Sequence, residues 1–274
     1  MSDREPDPES TEAIRARIDT GKPHSARFWN YFVGGKDHYE VDREVGDQIK
    51  EIFPGLVDVA LTSRHFLGRA VRELAAERGI RQFLDIGTGL PTADNTHEVA
   101  QRVAPDARIV YVDNDPLVLA HARALLTSTP EGRTDYLDAD LFDPESILEA
   151  AAGTLDLSRP VALIILNTLG HVADHDVARS LVSRLMAGLA SGSYLVISDS
   201  TATSEGMIAA SEAYNASGAV PYHVRAVDDV VRFFEGLELM EPGIVQVTRW
   251  RPEPDGPDGS EPAVDAYGGV GRKP

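Results

Sequence analysis

The chain contains no cysteine, which excludes disulfides, thiolate-bound metals and a cysteine nucleophile. It also lacks long apolar runs. The longest, Val161 to Leu166, falls far short of the roughly 20 residues that a bilayer-spanning helix needs. Positive charge is scarce: 26 Lys and Arg stand against 44 Asp and Glu, a formal charge of −18. A field of that sign repels phosphate backbones, and no Lys/Arg run with interleaved aromatics offers a local exception, so no nucleic-acid partner is expected. Met1 to Ser10 is acidic and proline-containing rather than basic and then apolar. No secretory leader is expected from it, and the Asn215-Ala216-Ser217 sequon then carries no meaning. These absences point to a cytoplasmic protein with no membrane partner; they leave its oligomeric state open.

At 274 residues the chain is long enough to bury a full core. Phe66, Leu67, Ala70, Val71, Leu74 and Ala75 share one helical face. Strand-like stretches follow at 82–86, 109–112, 134–137, 161–166 and 194–198, separated by helix-compatible stretches at 95–103, 116–126, 144–152 and 176–189. Short apolar strands alternating with helices predict an α/β fold with a parallel sheet covered on both faces. The rhythm breaks at Gly236 to Trp250, where Glu241-Pro242-Gly243 reads as the turn of a hairpin. Its second arm is the expected antiparallel last strand. The proline- and glycine-rich residues 253–274 read as a flexible tail, and residues 1–20 as a flexible lead.

The most informative stretch is Phe83-Leu84-Asp85-Ile86-Gly87-Thr88-Gly89-Leu90-Pro91-Thr92, followed by Val110 to Asp115. It reads as a buried strand, a glycine turn, a helix and a second buried strand ending in an acid. Gly87 and Gly89 let the backbone pass close to a ligand. Asp113 ends the second strand 28 residues after Asp85, where a carboxylate can accept both hydroxyls of a ribose. A dinucleotide fingerprint places a third glycine where this chain has Thr92. Asp85, moreover, would face a pyrophosphate at close range. A carboxylate there suits a ligand carrying an ammonium and a sulfonium, which favours S-adenosylmethionine. Loop capping is the bland alternative for Asp85.

Further stretches carry a resemblance. Ser25-Ala26-Arg27-Phe28-Trp29-Asn30-Tyr31-Phe32-Val33-Gly34-Gly35-Lys36-Asp37, Arg69-Ala70-Val71-Arg72, Gln82 to Thr92, Tyr111 to Pro116, Glu241-Pro242-Gly243 and Arg249-Trp250-Arg251-Pro252 span most of residues 24–252. Together they resemble the actinobacterial S-adenosyl methyltransferase family long catalogued as a domain of unknown function. The resemblance implies a Rossmann-like class I methyltransferase fold, mostly parallel with one antiparallel C-terminal strand, in a domain over 21–252. Residues 21–62 would form an N-terminal helical cap and 63–252 the core. The implied activity is methyl transfer from S-adenosylmethionine to a small-molecule acceptor that the resemblance does not identify.

Carried onto this chain, the resemblance places Asp85, Gly87, Thr88 and Gly89 at the methionine and ribose end of the cofactor. Asp113 would hold the ribose diol, and Asn114 would lie beside the adenine. Asp140, in Asp138-Ala139-Asp140-Leu141, would face the adenine amino group with Leu141 next to it. A solvated acidic loop with Asp143 as a helix cap before Pro144 is the plainer reading of that cluster. A metal site is not expected there, because the spacing lacks a calcium-loop glycine and glutamate.

Asn167 and His171 follow the fourth strand, at the sheet edge where ligands bind. Asn167 can accept from an ammonium or orient the acceptor. His171, with an ordinary pKa of about 6.5, is the candidate general base, or else an ordinary loop histidine. His171 and His175 have the spacing of a zinc-protease pair, but Val172 stands where the required glutamate would be. The block around Gly34-Gly35, with Arg27, Asn30, Tyr31, Lys36 and Asp37, suits a lid over the cofactor, or a helix packed through Phe28, Tyr31 and Phe32. Residues 200–223, with Met207, Tyr214, Pro221, Tyr222 and His223, suit an acceptor-shaping insertion, or a helix buried for its own sake. Two rival functions stay open: a non-catalytic S-adenosylmethionine-binding protein, and a nucleotide-cofactor oxidoreductase.

Overall fold

The computed structural model describes residues 17–125, 127–252 and 262–274. The expected lead therefore lies mostly outside the described residues, as do residues 253–261 of the expected tail. Three helices come first: α1 (Ser25–Phe32), α2 (Glu40–Ile52) and α3 (Leu56–Ala76). An alternating series follows: β1 (Gln82–Ile86), α4 (Thr96–Val103), β2 (Arg108–Asp113), α5 (Pro116–Leu125), β3 (Arg133–Asp138), α6 (Pro144–Ala151) and β4 (Ala162–Leu166). Then come α7 (His175–Ala187), β5 (Tyr194–Ser200), α8 (Glu205–Ala216), α9 (Val227–Arg232), β6 (Glu238–Leu239), β7 (Val245–Gln246) and β8 (Ala266–Arg272).

The strand order is β3-β2-β1-β4-β5-β8-β6, with β7 also paired to β8. The first five strands are mutually parallel, and β8 runs against them. Because β6 and β7 are each antiparallel to β8, they run with the first five. The fold is the expected α/β class, with one strand reversed. That strand, however, is not an arm of a hairpin at 237–250. The two short strands there both pair with β8, which lies inside the expected tail.

Three glycines hide β8 in the sequence, and the packing explains them. A Cβ on Gly268 would sit 2.4 Å from the Ile197 carbonyl oxygen, one on Gly269 2.8 Å from the Gly243 carbonyl, and one on Gly271 2.9 Å from the Phe234 ring. The residues that read as loop punctuation are the ones that let β8 fit between β5 and its short neighbours.

Alternation along the buried strands builds two apolar layers. Phe83, Ile109, Ile164 and Val196 face α3 through Phe66, Leu67 and Val71. Leu84, Val110, Leu163 and Ile165 face α6 and α7 through Ile147, Leu181 and Leu185. Several of the resembling blocks meet here: Arg69 donates to the Trp250 carbonyl at 3.0 Å, and the buried Trp250 indole meets Phe66 edge-on at 5.5 Å between centroids. The cap boundary expected at 62/63 falls within the continuous helix α3, so α3 belongs to both cap and core. Among the described residues, no helix is long and apolar enough to cross a membrane.

Candidate active site

A cavity of about 350 Å³ opens over the carboxyl ends of β1, β2 and β4. The sequence puts it there because parallel strands that end in glycine, Asp and Asn leave a polar crevice where the chain turns back to the helices. Asp85, Gly87, Thr88, Gly89, Asp113, Asn114, Asp140, Leu141, Asn167 and His171 all line it.

Gly87 and Gly89 adopt φ of 70° and 67°, the left-handed region that glycine enters freely. At Gly87 the constraint is doubled, since a Cβ would lie 2.1 Å from the Thr168 hydroxyl oxygen. The loop is held from β2: the Gly87 amide donates to the Val112 carbonyl at 2.8 Å and the Gly89 amide to the Asp113 carboxylate at 2.8 Å. The other Asp113 oxygen accepts the Asp115 amide at 3.0 Å. Burial raises the Asp113 pKa against the pull of these two amides.

Asp85 is 5% exposed and accepts the Thr96 hydroxyl at 2.6 Å. Burial pushes its pKa up to about 6, against Thr96 and the nearby Arg64 guanidinium. Arg64, on α3, lines the same cavity. Its Nε is buried without a partner, and its terminal nitrogen reaches the Ala93 carbonyl and the Asn95 side chain only at 3.4 Å each. Arg64 was missed in the sequence because a lone arginine on an apolar helix gives no signal until the helix is placed beside the glycine loop.

Asn167 takes a positive φ of 50°, donates its amide to the Ser198 carbonyl at 2.8 Å, and leaves its buried side-chain oxygen unpartnered. His171 Nδ1 lies 2.9 Å from the Pro221 carbonyl, which can only accept, so Nδ1 carries the proton and Nε2 keeps its lone pair. Burial lowers its pKa, so the ring is neutral near pH 7. Asp140 is exposed at the mouth and accepts the Phe142 amide at 3.0 Å, while Asp143 caps α6 through the Ser146 amide at 3.2 Å. Phe142 and Val220, 55% and 57% exposed, are apolar side chains at the cavity rim that the sequence reading passed over.

The N-terminal block divides along a helical period. Ser25, Ala26, Trp29, Asn30 and Val33 line the cavity, whereas Arg27, Tyr31, Gly34 and Gly35 do not. Arg27 and Tyr31 fall on the opposite face of α1. The buried Arg27 guanidinium donates to the Asp19 and Lys22 carbonyls at 3.0 and 3.1 Å, and the Tyr31 hydroxyl donates to Asp47. Gly34, at φ 79°, turns the chain after α1, and a Cβ on Gly35 would meet the Asn30 side chain at 2.3 Å. These four residues build the cap rather than face the ligand space. Reading α1 by its 3.6-residue period would have separated the two faces. His24, ahead of α1, ties the cap to the β2 loop through Asp115 at 2.9 Å.

Comparison with known proteins identifies the family and the fold. A DUF574 family protein of Streptomyces avermitilis is 49% identical and superimposes with a TM-score of 0.90, covering 94% of this chain and all of its own. A candidate methyltransferase of Thermobifida fusca is 41% identical, with a TM-score of 0.84 over 92% of this chain and 95% of its own. A S-adenosylmethionine-dependent methyltransferase of Anabaena variabilis, 13% identical with a TM-score of 0.51 over 74% of this chain and 80% of its own, shares the fold. A curated relative, the carboxy-S-adenosyl-L-methionine synthase of Trichlorobacter lovleyi, is 25% identical over 172 residues, which span 61% of this chain and 65% of that protein. Residues 11–274 match the family model described as S-adenosyl methyltransferase, and the chain belongs to that family.

Proposed function

We propose that the cavity binds S-adenosylmethionine and that the protein transfers its methyl group to a small-molecule acceptor. One observation carries the reading: two carboxylates, the buried Asp85 and the half-buried Asp113, face a single cavity beneath the glycine loop, with the half-buried Arg64 beside the first. The charges suit a ligand with an ammonium, a carboxylate and a ribose diol. The orphaned atoms suit it as well, for the buried Asn167 oxygen needs a donor and the buried Arg64 Nε needs an acceptor. Asp85 and Asn167 would hold the ammonium, Arg64 the carboxylate, Asp113 the ribose hydroxyls, and Asn114, Asp140 and Leu141 the adenine end. A pyrophosphate at the glycine loop would face the buried Asp85 carboxylate, which disfavours a nucleotide oxidoreductase.

When bound, S-adenosylmethionine supplies a methyl on a sulfonium, an electrophile that needs no metal or covalent intermediate. The protein's part is to align an acceptor lone pair behind that carbon, exclude water and remove a proton. Trp29, Asn30 and Val33 roof the cavity from α1, and His171 offers the unprotonated Nε2. The curated relative's name also refers to an S-adenosylmethionine derivative, which supports the same ligand class.

The test is formation of S-adenosylhomocysteine from S-adenosylmethionine when small hydroxylated and amino compounds are added singly. Stoichiometric S-adenosylhomocysteine and methylated compound, abolished in Asp85→Ala, support the reading. Tight binding of S-adenosylmethionine with no turnover on any compound would favour a binding protein without chemistry.

A further inference from the structure

The amino end of the sheet, opposite the strand ends over which the main cavity opens, carries a second hollow of about 250 Å³. One water takes about 10–15 Å³ by such a measure, so the hollow has room for about fifteen or more heavy-atom-sized groups. Four of the residues lining it are arginines: Arg78 and Arg81 ahead of β1, Arg159 ahead of β4, and Arg272 at the end of β8. Among the described residues, no Asp or Glu lines it. In a chain with 26 basic and 44 acidic residues this is a local reversal of charge. No basic run announces it, because three separate stretches supply the four side chains.

Each stretch is fixed in place. The Gln82 side chain, in a residue 5% exposed, accepts the Asp156 amide at 2.6 Å and donates to the Asp156 carbonyl at 2.9 Å. Those bonds hold the loop that carries Arg159 against the start of β1. Arg81 Nη1 donates to the Ala75 and Ile80 carbonyls at 2.8 and 3.0 Å, which ties it to the end of α3. The Gly192 amide donates to the Lys273 carbonyl at 2.9 Å, and the Lys273 amide to the Ser193 carbonyl at 2.7 Å. The end of β8 is thereby locked beside β5, and Arg272 Nη2 stands 3.9 Å from where a Cβ on Gly192 would lie.

Carboxylates around the hollow do not use up these guanidiniums. Glu73 meets Arg78 at 3.0 Å but is shared with Arg251. Glu238 meets Nη1 of Arg272 at 3.0 Å, and Asp106 reaches Arg81 only at 3.5 Å. Arg159 has Asp156 nearby, yet among the described residues its side chain makes no hydrogen bond or ion pair. Each guanidinium carries five N–H donors, so most of those in the cluster stay open.

We propose that this hollow binds a small molecule carrying a diphosphate. Guanidiniums supplied by three stretches around one space suit phosphoryl oxygens, which spread tetrahedrally and pair with arginine forks two at a time. A carboxylate accepts in a single plane and engages one fork. Two linked phosphoryl groups also bring the charge needed to balance the arginines that the neighbouring acids leave unneutralised. A nucleic-acid strand is disfavoured, because a chain at −18 repels a long polyanion far more than a small one. The site lies away from the main cavity and does not depend on the methyl-donor reading.

The experiment is calorimetric titration of the full-length protein with inorganic pyrophosphate and, separately, malonate, at about physiological ionic strength so that loose surface pairing is screened. Saturable one-to-one binding of pyrophosphate is expected, at least tenfold tighter than that of malonate. Arg159→Ala and Arg272→Ala should each weaken it about tenfold, as loss of one charge-assisted contact implies. Arg159 supports no other contact, so that variant keeps the fold. Arg64→Ala, in the main cavity, should leave pyrophosphate affinity unchanged. No saturable binding, equal binding of malonate, or affinity that falls in Arg64→Ala and not in Arg159→Ala would overturn the proposal.

Discussion

The Asp113 carboxylate at the end of β2 receives the Gly89 amide of the β1 loop at 2.8 Å. One side chain therefore sets the shape of the glycine loop and faces the cavity that the loop encloses. Because its second oxygen takes the Asp115 amide, the carboxylate is oriented before any ligand arrives.

Asp113→Ala should consequently cost more than a ribose contact alone. Calorimetry with S-adenosylhomocysteine should show affinity lower by at least 10-fold, about 1–3 kcal/mol, in a variant that remains folded. Unchanged affinity would remove Asp113 from the site.

Asp85→Asn should trade binding for stability. The folded-state pKa of about 6 lies above the ordinary value of 3.8, so the native state holds this proton more tightly than the unfolded chain. Stability from Asp85 is thus greatest below about pH 4 and is lost as pH rises through about 6, by at most about 3 kcal/mol. Asparagine keeps an acceptor for Thr96 and carries no charge. Thermal unfolding should show the variant equal to the parent near pH 4 and more stable at pH 7.5, with weaker S-adenosylmethionine binding. A variant less stable than the parent at pH 7.5 would contradict the account. Asp199, also raised to about 6 by burial, contributes a slope of the same sign in both proteins and cancels in the comparison.

Gly87→Ala should strain the loop twice over, through its positive φ and through the approach to Thr168. A lowered melting temperature, corresponding to about 1–2 kcal/mol or more, and weakened S-adenosylhomocysteine binding are expected. Gly34→Ala, at a positive φ with open space around it, should lower stability yet leave ligand affinity unchanged, because Gly34 does not line the cavity.

His171 should titrate below the ordinary histidine value, because burial disfavours the imidazolium. Nitrogen NMR of the free protein at pH 7 should show a neutral ring protonated at Nδ1. A ring protonated at Nε2 would leave no lone pair toward the cavity and would remove His171 as a proton acceptor.

Ending the chain at Pro262 should abolish cooperative unfolding. The loss would remove β8, which pairs along its whole length with β5 and buries Val270 and Ala266. A truncated protein with the parent's melting temperature would show that this strand is dispensable.

The last prediction marks where sequence reading gave out. The parallel strands were legible because Phe83 to Ile86 and Val161 to Leu166 are apolar runs bounded by turns, and burial on both faces demands such runs. β8 was not legible, since Gly268, Gly269 and Gly271 are required by backbone and ring approaches that only the assembled sheet creates. The same contrast runs through the site. Gly87, Gly89, Asp85 and Asp113 stand in one local pattern whose chemistry can be read directly. Arg64 and Trp29 reach the cavity from helices far away in sequence, and Arg27 and Tyr31, polar and near glycines, point elsewhere. Local patterns were visible, whereas the choice among helical faces depended on packing.

The most direct test of the central claim is parallel calorimetric titration with S-adenosylmethionine, S-adenosylhomocysteine and NAD. The account predicts micromolar binding of both adenosyl-sulfur ligands, lost in Asp85→Ala and Arg64→Ala, and no binding of NAD. Binding of NAD alone, or of none of the three, would contradict it.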